Sequence, residues 1–159
     1  MPNHKLTLLG HPASKKIQSL LNNRDPHETA RLAYADGIVA LSGSKGIAFE
    51  LARELYDVDL KSEVLLGRFN AMIKGFKFEK AENREAQVCA EAHLWMTLVA
   101  LHAKYVVEKQ APRHRHPHPK HLHVWVYEID RKNRPKEDSP CHNCRQWVRG
   151  EFLTVNGTA

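Results

Sequence analysis

Three cysteines and one glutamate have the residue types and the spacing of a metal centre that does chemistry. Cys89 lies two residues before Glu91, and Cys141 and Cys144 form a C-x-x-C pair further along the chain. Three thiolates can hold one zinc ion and leave its fourth tetrahedral position open, as catalytic sites do. A carboxylate beside the metal, but not bound to it, can move protons to and from the metal-bound water. The sequence therefore predicts Cys89, Cys141 and Cys144 as zinc ligands and Glu91 as an acid/base.

Length and composition limit the kinds of protein this can be. The chain has 159 residues, 42% of them hydrophobic, which suits a single domain with one core. No apolar run approaches the roughly 20 residues that span a bilayer, and residues 1–10 lack the apolar segment of a conventional secretory signal. Three cysteines cannot form a complete set of disulfides, so we expect metal binding in a reducing, cytoplasmic compartment. The net charge of +6 favours polyanionic partners.

Hydrophobic periodicity predicts the elements that carry the two cysteine clusters. Leu94, Leu98 and Leu101 form an apolar stripe at helical spacing, and Leu122 to Ile129 is rich in β-branched and aromatic residues. We therefore predict a helix over 88–107, a strand over 122–129 and a helix over 141–149. Both clusters then lie at helix starts, where unpaired N–H groups and the helix dipole favour thiolates.

The elements before the first cysteine are predicted from capping signals and short apolar runs. Asp25-Pro26 is typical of a helix start, and that helix is expected to end at Gly37. Later elements are predicted as a strand over 38–43, helices over 46–57 and 60–74, a loop over 79–87 and a last strand over 152–155. Residues 69–78 fit a strand as well as a helix.

The Cys-Ala-Glu and Pro-Cys-x-x-Cys motifs, with the helix–strand–helix order between them, resemble the zinc-dependent nucleobase deaminases. This resemblance covers about residues 88–149. It implies a cytidine deaminase-like α/β fold, a three-layer α/β/α sandwich around a mixed sheet of four to five strands. It also implies one domain over 1–159, with divergent N-terminal helices in 1–36 and a catalytic core in 37–159. The short C-terminal end is similar to that of bacterial toxin-type deaminase domains, whose partners include immunity proteins.

Two other interpretations of the cysteines stay open. His93 or His142 would close the site as a fourth ligand, giving a structural zinc centre of three cysteines and one histidine without catalysis. The C-x-x-C pair alone would suit a redox protein, although that chemistry does not require the distant Cys89 and Glu91.

The substrate-binding residues are predicted from charge and from aromatic character. Arg113 and Arg115 lie in a basic, proline-rich loop and are candidates for phosphate contacts, with Trp125 as a stacking face. Asn70 is a candidate for contact with a ribose, by resemblance to free-cytidine enzymes. Arg145, directly after Cys144, is a candidate partner for the thiolates. The alternatives are a solvated loop, an aromatic side chain in the core, and a surface charge at Arg145.

These observations predict a zinc-dependent enzyme that deaminates cytosine to uracil in single-stranded DNA or RNA. A deaminase of free cytidine or nucleotides is the first alternative, since cysteine as the first ligand is typical of those enzymes. The second is a non-catalytic, zinc-stabilised module that binds nucleic acid. No membrane partner is expected.

Overall fold

The fold is a mixed sheet with helices packed on it. The computed structural model describes residues 15, 17–19, 30–43, 46–104, 118–129 and 135–156. Its strands are β1 (Ala30–Ala35), β2 (Ile38–Leu41), β3 (His123–Ile129), β4 (Pro135–Glu137) and β5 (Thr154–Val155). Its α-helices are α1 (Gly46–Tyr56), α2 (Glu63–Gly75), α3 (Ala90–His102), α4 (His142–Arg145) and α5 (Val148–Glu151). Two 3-10 turns cover Ala86–Val88 and Pro119–His121. None of the helices in the described ranges has the length and apolar character to cross a membrane.

The sheet is centred on β1 and β3. The strand order is β2-β1-β3-β4, with antiparallel pairing throughout, and the short β5 pairs with β3 in parallel. A sheet with both kinds of pairing and helices packed on it confirms the predicted α/β class. The expected helix-start, strand, helix-start order around the cysteines is also present, as α3, β3 and α4. The single domain over 1–159 stays a prediction.

The predicted helix ending at Gly37 is wrong over its second half, because residues 30–35 form β1. Asp36 and Gly37 both have positive φ, at 49° and 85°, and connect β1 to β2. Asp-Gly between two apolar runs is a strong signal for a tight hairpin turn, since the favoured turns need positive φ. The hairpin buries its strand residues on both faces of the sheet, and this burial favours a strand over a helix for residues 30–35. The predicted helix start at Asp25-Pro26 lies outside the described residues.

Residues on alternate positions of the central strands contribute to two separate apolar clusters. One cluster joins strand residues to α2 and α3, and these strand residues are Ala33, Ala35, Val124 and Val126. The other joins strand residues to Ile17 and α1, and these strand residues are Leu32, Tyr34, Tyr127 and Ile129. Because side chains of a strand alternate between faces, the two clusters lie on opposite sides of the sheet. The arrangement is compatible with the predicted three layers.

Helix α3 is the central helix of the fold. Eleven of its thirteen residues are buried, and the two next residues, 103–104, continue in helical backbone. Residues 105–107 of the predicted helix lie outside the described residues. Helix α2 occupies 63–75, so the alternative strand over 69–78 is wrong. Phe69 faces inward there, with its ring 5.8 Å from that of Trp95 and 5.4 Å from that of Trp147.

One edge of β3 is shared by two short strands, and Asn156 joins them. The Val126 N–H donates to Asn156 Oδ1 at 2.6 Å, and Asn156 Nδ2 donates to the Asp138 carbonyl at 2.9 Å. The backbone N–H of Asn156 donates to the Val124 carbonyl at 3.1 Å. The Asn156 carboxamide thus provides hydrogen-bond partners for two backbone groups, the Val126 N–H and the Asp138 carbonyl, between β5 and the segment that follows β4.

Replacing Asn156 with alanine is expected to destabilise the protein by about 1–3 kcal/mol, because the buried Val126 N–H would lose its acceptor. Urea unfolding measures this change. Asn70→Ala is the matched control, because Asn70 is exposed on α2 and its replacement is expected to change stability by less than about 0.5 kcal/mol. Equal stabilities of the two variants would contradict the proposed role of Asn156.

Candidate metal centre

The structure brings the three cysteines into one group. The Sγ atoms of Cys89 and Cys141 are 3.6 Å apart, and the Sγ atoms of all three cysteines lie within 4.8 Å of one another. Cys89 and Cys144 are buried, and Cys141 is partly exposed. All three are free thiols. Among the described residues, this is the group of three or more metal-ligating side chains that is close enough to hold an ion.

Helix starts position the two clusters as expected. Cys89 is the N-cap of α3 and Cys141 the N-cap of α4, each with extended backbone. The Cys89 carbonyl accepts from the N–H of His93 at 3.0 Å, and the Cys141 carbonyl accepts from the N–H of Arg145 at 2.9 Å. Cys144 lies in the single turn of α4, so Cys141 and Cys144 share one side of that turn. Both caps therefore present their thiols near the first, unpaired N–H groups of a helix.

The group fits a zinc ion. Tetrahedral coordination at Zn–S distances near 2.3 Å places two sulfur atoms roughly 3.8 Å apart, close to the separation of Cys89 and Cys141. Three thiol donors suit zinc and leave one of its four positions for a small ligand. Glu91 is not a member of the close group, although it lines the same cavity. The arrangement agrees with a carboxylate that acts beside a metal and does not ligate it.

Glu91 is buried without the partners that a structural carboxylate requires. Its exposed fraction is 1%, and within the described part of the chain neither carboxylate oxygen has a hydrogen-bond partner in good geometry. Burial raises the pKa of the Glu91 carboxyl, while the charge of Arg31 and the nearby Cys144 thiol offset part of the increase. An unpaired buried carboxyl is costly to fold, which is typical of a functional group.

Arg84 lines the same cavity as Cys89 and Cys141. Its interaction with these two thiols raises the pKa of its guanidinium. The pKa of Cys141 is lowered, mainly by hydrogen bonding from the Cys144 and Cys89 thiols and further by Arg84. The pKa of Cys89 is raised to about 12, chiefly by its hydrogen bond with Cys141, and burial raises the pKa of Cys144.

Helix α4 holds the loop that carries Arg84. The buried Asn143 accepts from the Ala81 N–H at 2.8 Å and donates to the Arg84 carbonyl at 3.0 Å. Gln146 accepts from the Glu79 N–H at 2.9 Å and donates to the Glu79 carbonyl at 2.6 Å. The middle of the C-x-x-C motif therefore fixes the segment that leads into Cys89.

A cavity of about 450 Å³ opens onto the cysteines and Glu91. Its other lining residues are Arg31, Ser42, Gly43, Arg84 and Val88. Arg31 donates to Asp138 Oδ2 at 3.0 Å and to the Ser139 carbonyl at 2.5 Å, which ties β1 to the segment that precedes Cys141. The cavity volume lies within the range that small-molecule sites occupy.

The two histidines considered as a fourth ligand are directed elsewhere. His93 Nδ1 donates to the Leu41 carbonyl at 2.6 Å, and His93 is fully buried in α3. His142 is exposed, and its Nδ1 lies 3.6 Å from Glu82 Oε1. Neither belongs to the close group of ligand atoms.

Arg145, Asn70 and Trp125 lie outside the cavity lining. Arg145 is exposed, and it donates to the Pro140 carbonyl at 2.8 Å and to Ser139 Oγ at 3.0 Å, so it braces the loop before Cys141. Asn70 is exposed on α2, and the Trp125 ring packs 4.6 Å from the His123 ring on β3. Arg113 and Arg115 lie outside the described residues. Their substrate contacts stay predictions.

The cavity also contains residues that sequence reasoning missed. Arg31 and Arg84 were not singled out, and no periodicity or motif marks them. Arg84 could have been predicted from its position in the short polar segment before Cys89, because a long side chain there can extend toward the start of the next helix. For Arg31 the signal is the Asp36-Gly37 turn, which places residue 31 on a strand of the central sheet.

Searches against protein-family models, curated proteins and solved structures found no match to this chain. What the protein does is therefore inferred from the residues of the site and their geometry. These are a three-cysteine group that could bind zinc, a buried carboxylate and a cavity, within an α/β fold.

We expect the purified protein to bind about one zinc ion per chain, and Cys144→Ser to lose it, because the buried Cys144 supplies one of three sulfur ligands. Metal analysis after gel filtration measures both. Glu91→Gln is the matched control and is expected to keep its zinc, since Glu91 lies outside the ligand group. Zinc retained at full occupancy by Cys144→Ser would contradict the assignment.

Arg84→Ala is expected to weaken zinc binding about tenfold or more, because its positive charge beside Cys89 and Cys141 favours the thiolates that bind the metal, and groups around metal ligands typically contribute this much. Competition with a zinc-binding dye measures the affinity. Arg145→Ala serves as the control that separates the two arginines, and it is expected to change the affinity by less than about threefold. The reverse order of effects would show that Arg145 is the thiolate partner.

Proposed function

We propose that this protein is a zinc-dependent hydrolytic deaminase that converts cytosine to uracil, with single-stranded nucleic acid as its substrate. The observation that carries this proposal is the buried Glu91 carboxyl, whose two oxygens lack hydrogen-bond partners among the described residues, beside the three-cysteine group. A carboxylate is buried in this way at a cost in stability, which a role in proton transfer would explain.

The residues of the cavity suit this reaction. Zinc, when held by the three cysteines, lowers the pKa of a water molecule so that hydroxide forms near neutral pH. Glu91 accepts the proton released from that water and donates it to the ring nitrogen of the base. The oxygen of the water bonds to the ring carbon, Glu91 transfers the second proton of that water to the exocyclic amine, and the carbon–nitrogen bond breaks to release ammonia. Water and cytosine thus give uracil and ammonia.

The ligand set argues against a closed structural site. A closed site needs four protein ligands, and the described residues bring no histidine or carboxylate into the cysteine group. The cavity over the cysteines gives a substrate access to the open side of the site. A non-catalytic zinc module would have no use for this access, nor for the unpaired carboxyl of Glu91.

The choice of a polymeric substrate rests on charge. The chain carries a net charge of +6, and two arginines, Arg31 and Arg84, line the cavity. A basic protein attracts the phosphates of nucleic acid and releases their counterions on binding. Free cytidine gains nothing from this interaction, so it is the alternative substrate that the assay must include.

Glu91→Gln is expected to reduce kcat at least about 100-fold while zinc content stays unchanged, because the amide cannot shuttle a proton. The assay incubates zinc-loaded protein with cytosine-containing single-stranded DNA and RNA, and separately with cytidine, and measures uracil or uridine. Activity retained by Glu91→Gln would rule out the proton-transfer role. Turnover of cytidine alone would move the substrate to free nucleosides, and wild-type protein inactive on every cytosine substrate would refute the proposed reaction.

A further inference from the structure

A second cavity lies beside the first and has a different chemical character. Its volume is about 260 Å³, and its lining is mostly apolar or aromatic. The lining residues are Phe49, Leu60, Lys61, Leu66, Gln87, Val88 and His93. The cysteines and Glu91 are not among them, so this cavity has no part in the reaction proposed above.

The two cavities share Val88 as a common wall. Val88 immediately precedes the zinc-ligand candidate Cys89, and its carbonyl accepts from the Gly43 N–H at 2.9 Å, which holds the wall in place. The two cavities are therefore adjacent, one on each side of a single residue. A single nucleoside has no second planar group to place in the second cavity, whereas a nucleic-acid strand has one on the next nucleotide.

The second cavity offers an aromatic face and a cation together. Phe49 is partly exposed, and Lys61 Nζ lies 5.0 Å from the centre of its ring. His93, held by its bond to the Leu41 carbonyl, approaches the same ring with a centroid distance of 5.8 Å. An exposed cation–π contact is weak, so the flexible Lys61 side chain can turn to a phosphate and leave the ring to a base. Aromatic rings beside basic groups are the usual platform for single strands.

We propose that the second cavity binds the nucleobase adjacent to the target cytosine in a single strand, with Phe49 as its stacking surface and Lys61 as its phosphate contact. This inference rests on the proposed function and adds to it the class of substrate, a polymer of at least two nucleotides. The same contact would set the preference for one neighbouring base over another.

The test is a double-mutant cycle between Phe49 and the neighbouring base, measured as binding. Zinc-loaded Glu91→Gln protein, with Phe49 intact or replaced by leucine, is titrated with fluorescent five-nucleotide single strands. The reference oligonucleotide has a central cytosine with thymines on both sides. In two further oligonucleotides an abasic site replaces the thymine on the 5′ side or the thymine on the 3′ side of the cytosine. Leucine keeps most of the apolar volume but removes the aromatic face, and unfolding curves verify that each variant is folded.

Removing one of the two neighbouring bases is expected to weaken binding about tenfold when Phe49 is present and less than about threefold when it is replaced. Phe76→Leu is the control, because Phe76 is partly exposed against Gly150 and does not line either cavity. Equal losses with and without Phe49, or no effect of either base, would overturn the inference and leave the proposed deamination intact. Coupling to Phe49 in a protein that makes no uracil would support the subsite and refute the reaction.

Lys61 is tested by the salt dependence of the same binding. Lys61→Ala is expected to reduce the slope of log affinity against log salt concentration by about 0.7, the loss of one phosphate contact to a single strand. Lys74→Ala, which removes an exposed cation at the end of α2, is expected to leave the slope unchanged. Equal slopes for wild type and Lys61→Ala would overturn the phosphate contact.

Discussion

The hydrogen bonds of the Asn143 carboxamide are the interaction on which the site depends. Asn143 is completely buried, and it accepts from Ala81 and donates to Arg84 across a separation of about sixty residues in sequence. These hydrogen bonds join the start of α4, which carries Cys141 and Cys144, to the segment that leads into Cys89 and α3. A buried amide without these partners would be costly, so the pairing is strongly specified. The sulfur atoms are thereby placed by the protein itself as well as by any metal.

The second constraint is the burial of several ionisable groups in one place. Three thiols and the Glu91 carboxyl share one region, and an uncompensated group of this kind would oppose folding. Two arginines from distant segments, Arg84 and Arg31, line the same cavity, and the charge of Arg31 lowers the pKa of the Glu91 carboxyl. Arg31 is itself paired with Asp138, which fixes its position. The charges therefore act as a set, and the cavity is the space that they enclose.

The sequence predicts the parts of this arrangement that depend on local rules. Helix starts at Cys89 and Cys141 and the strand over 122–129 follow from capping and from hydrophobic patterning, and the structure has all three. The first strand was missed because its residues are buried on both faces and show no alternation. The partner of the thiolates was missed because it depends on a tertiary contact. Arg145 is adjacent to Cys144 in sequence, but its side chain donates to the Pro140 carbonyl, whereas Arg84 lines the cavity of the cysteines from another segment.

The burial of α3 has a consequence for how this protein can diversify. Almost every position of that helix packs against other elements, so its sequence has little freedom to vary. The wall of the cavity at Ser42 and Gly43 comes instead from the segment between β2 and α1, and such connecting segments tolerate change more readily. New specificities can therefore arise by loop replacement around an unchanged metal and acid/base group. The same division makes the loops, and not the helix, the place to redesign what the protein accepts.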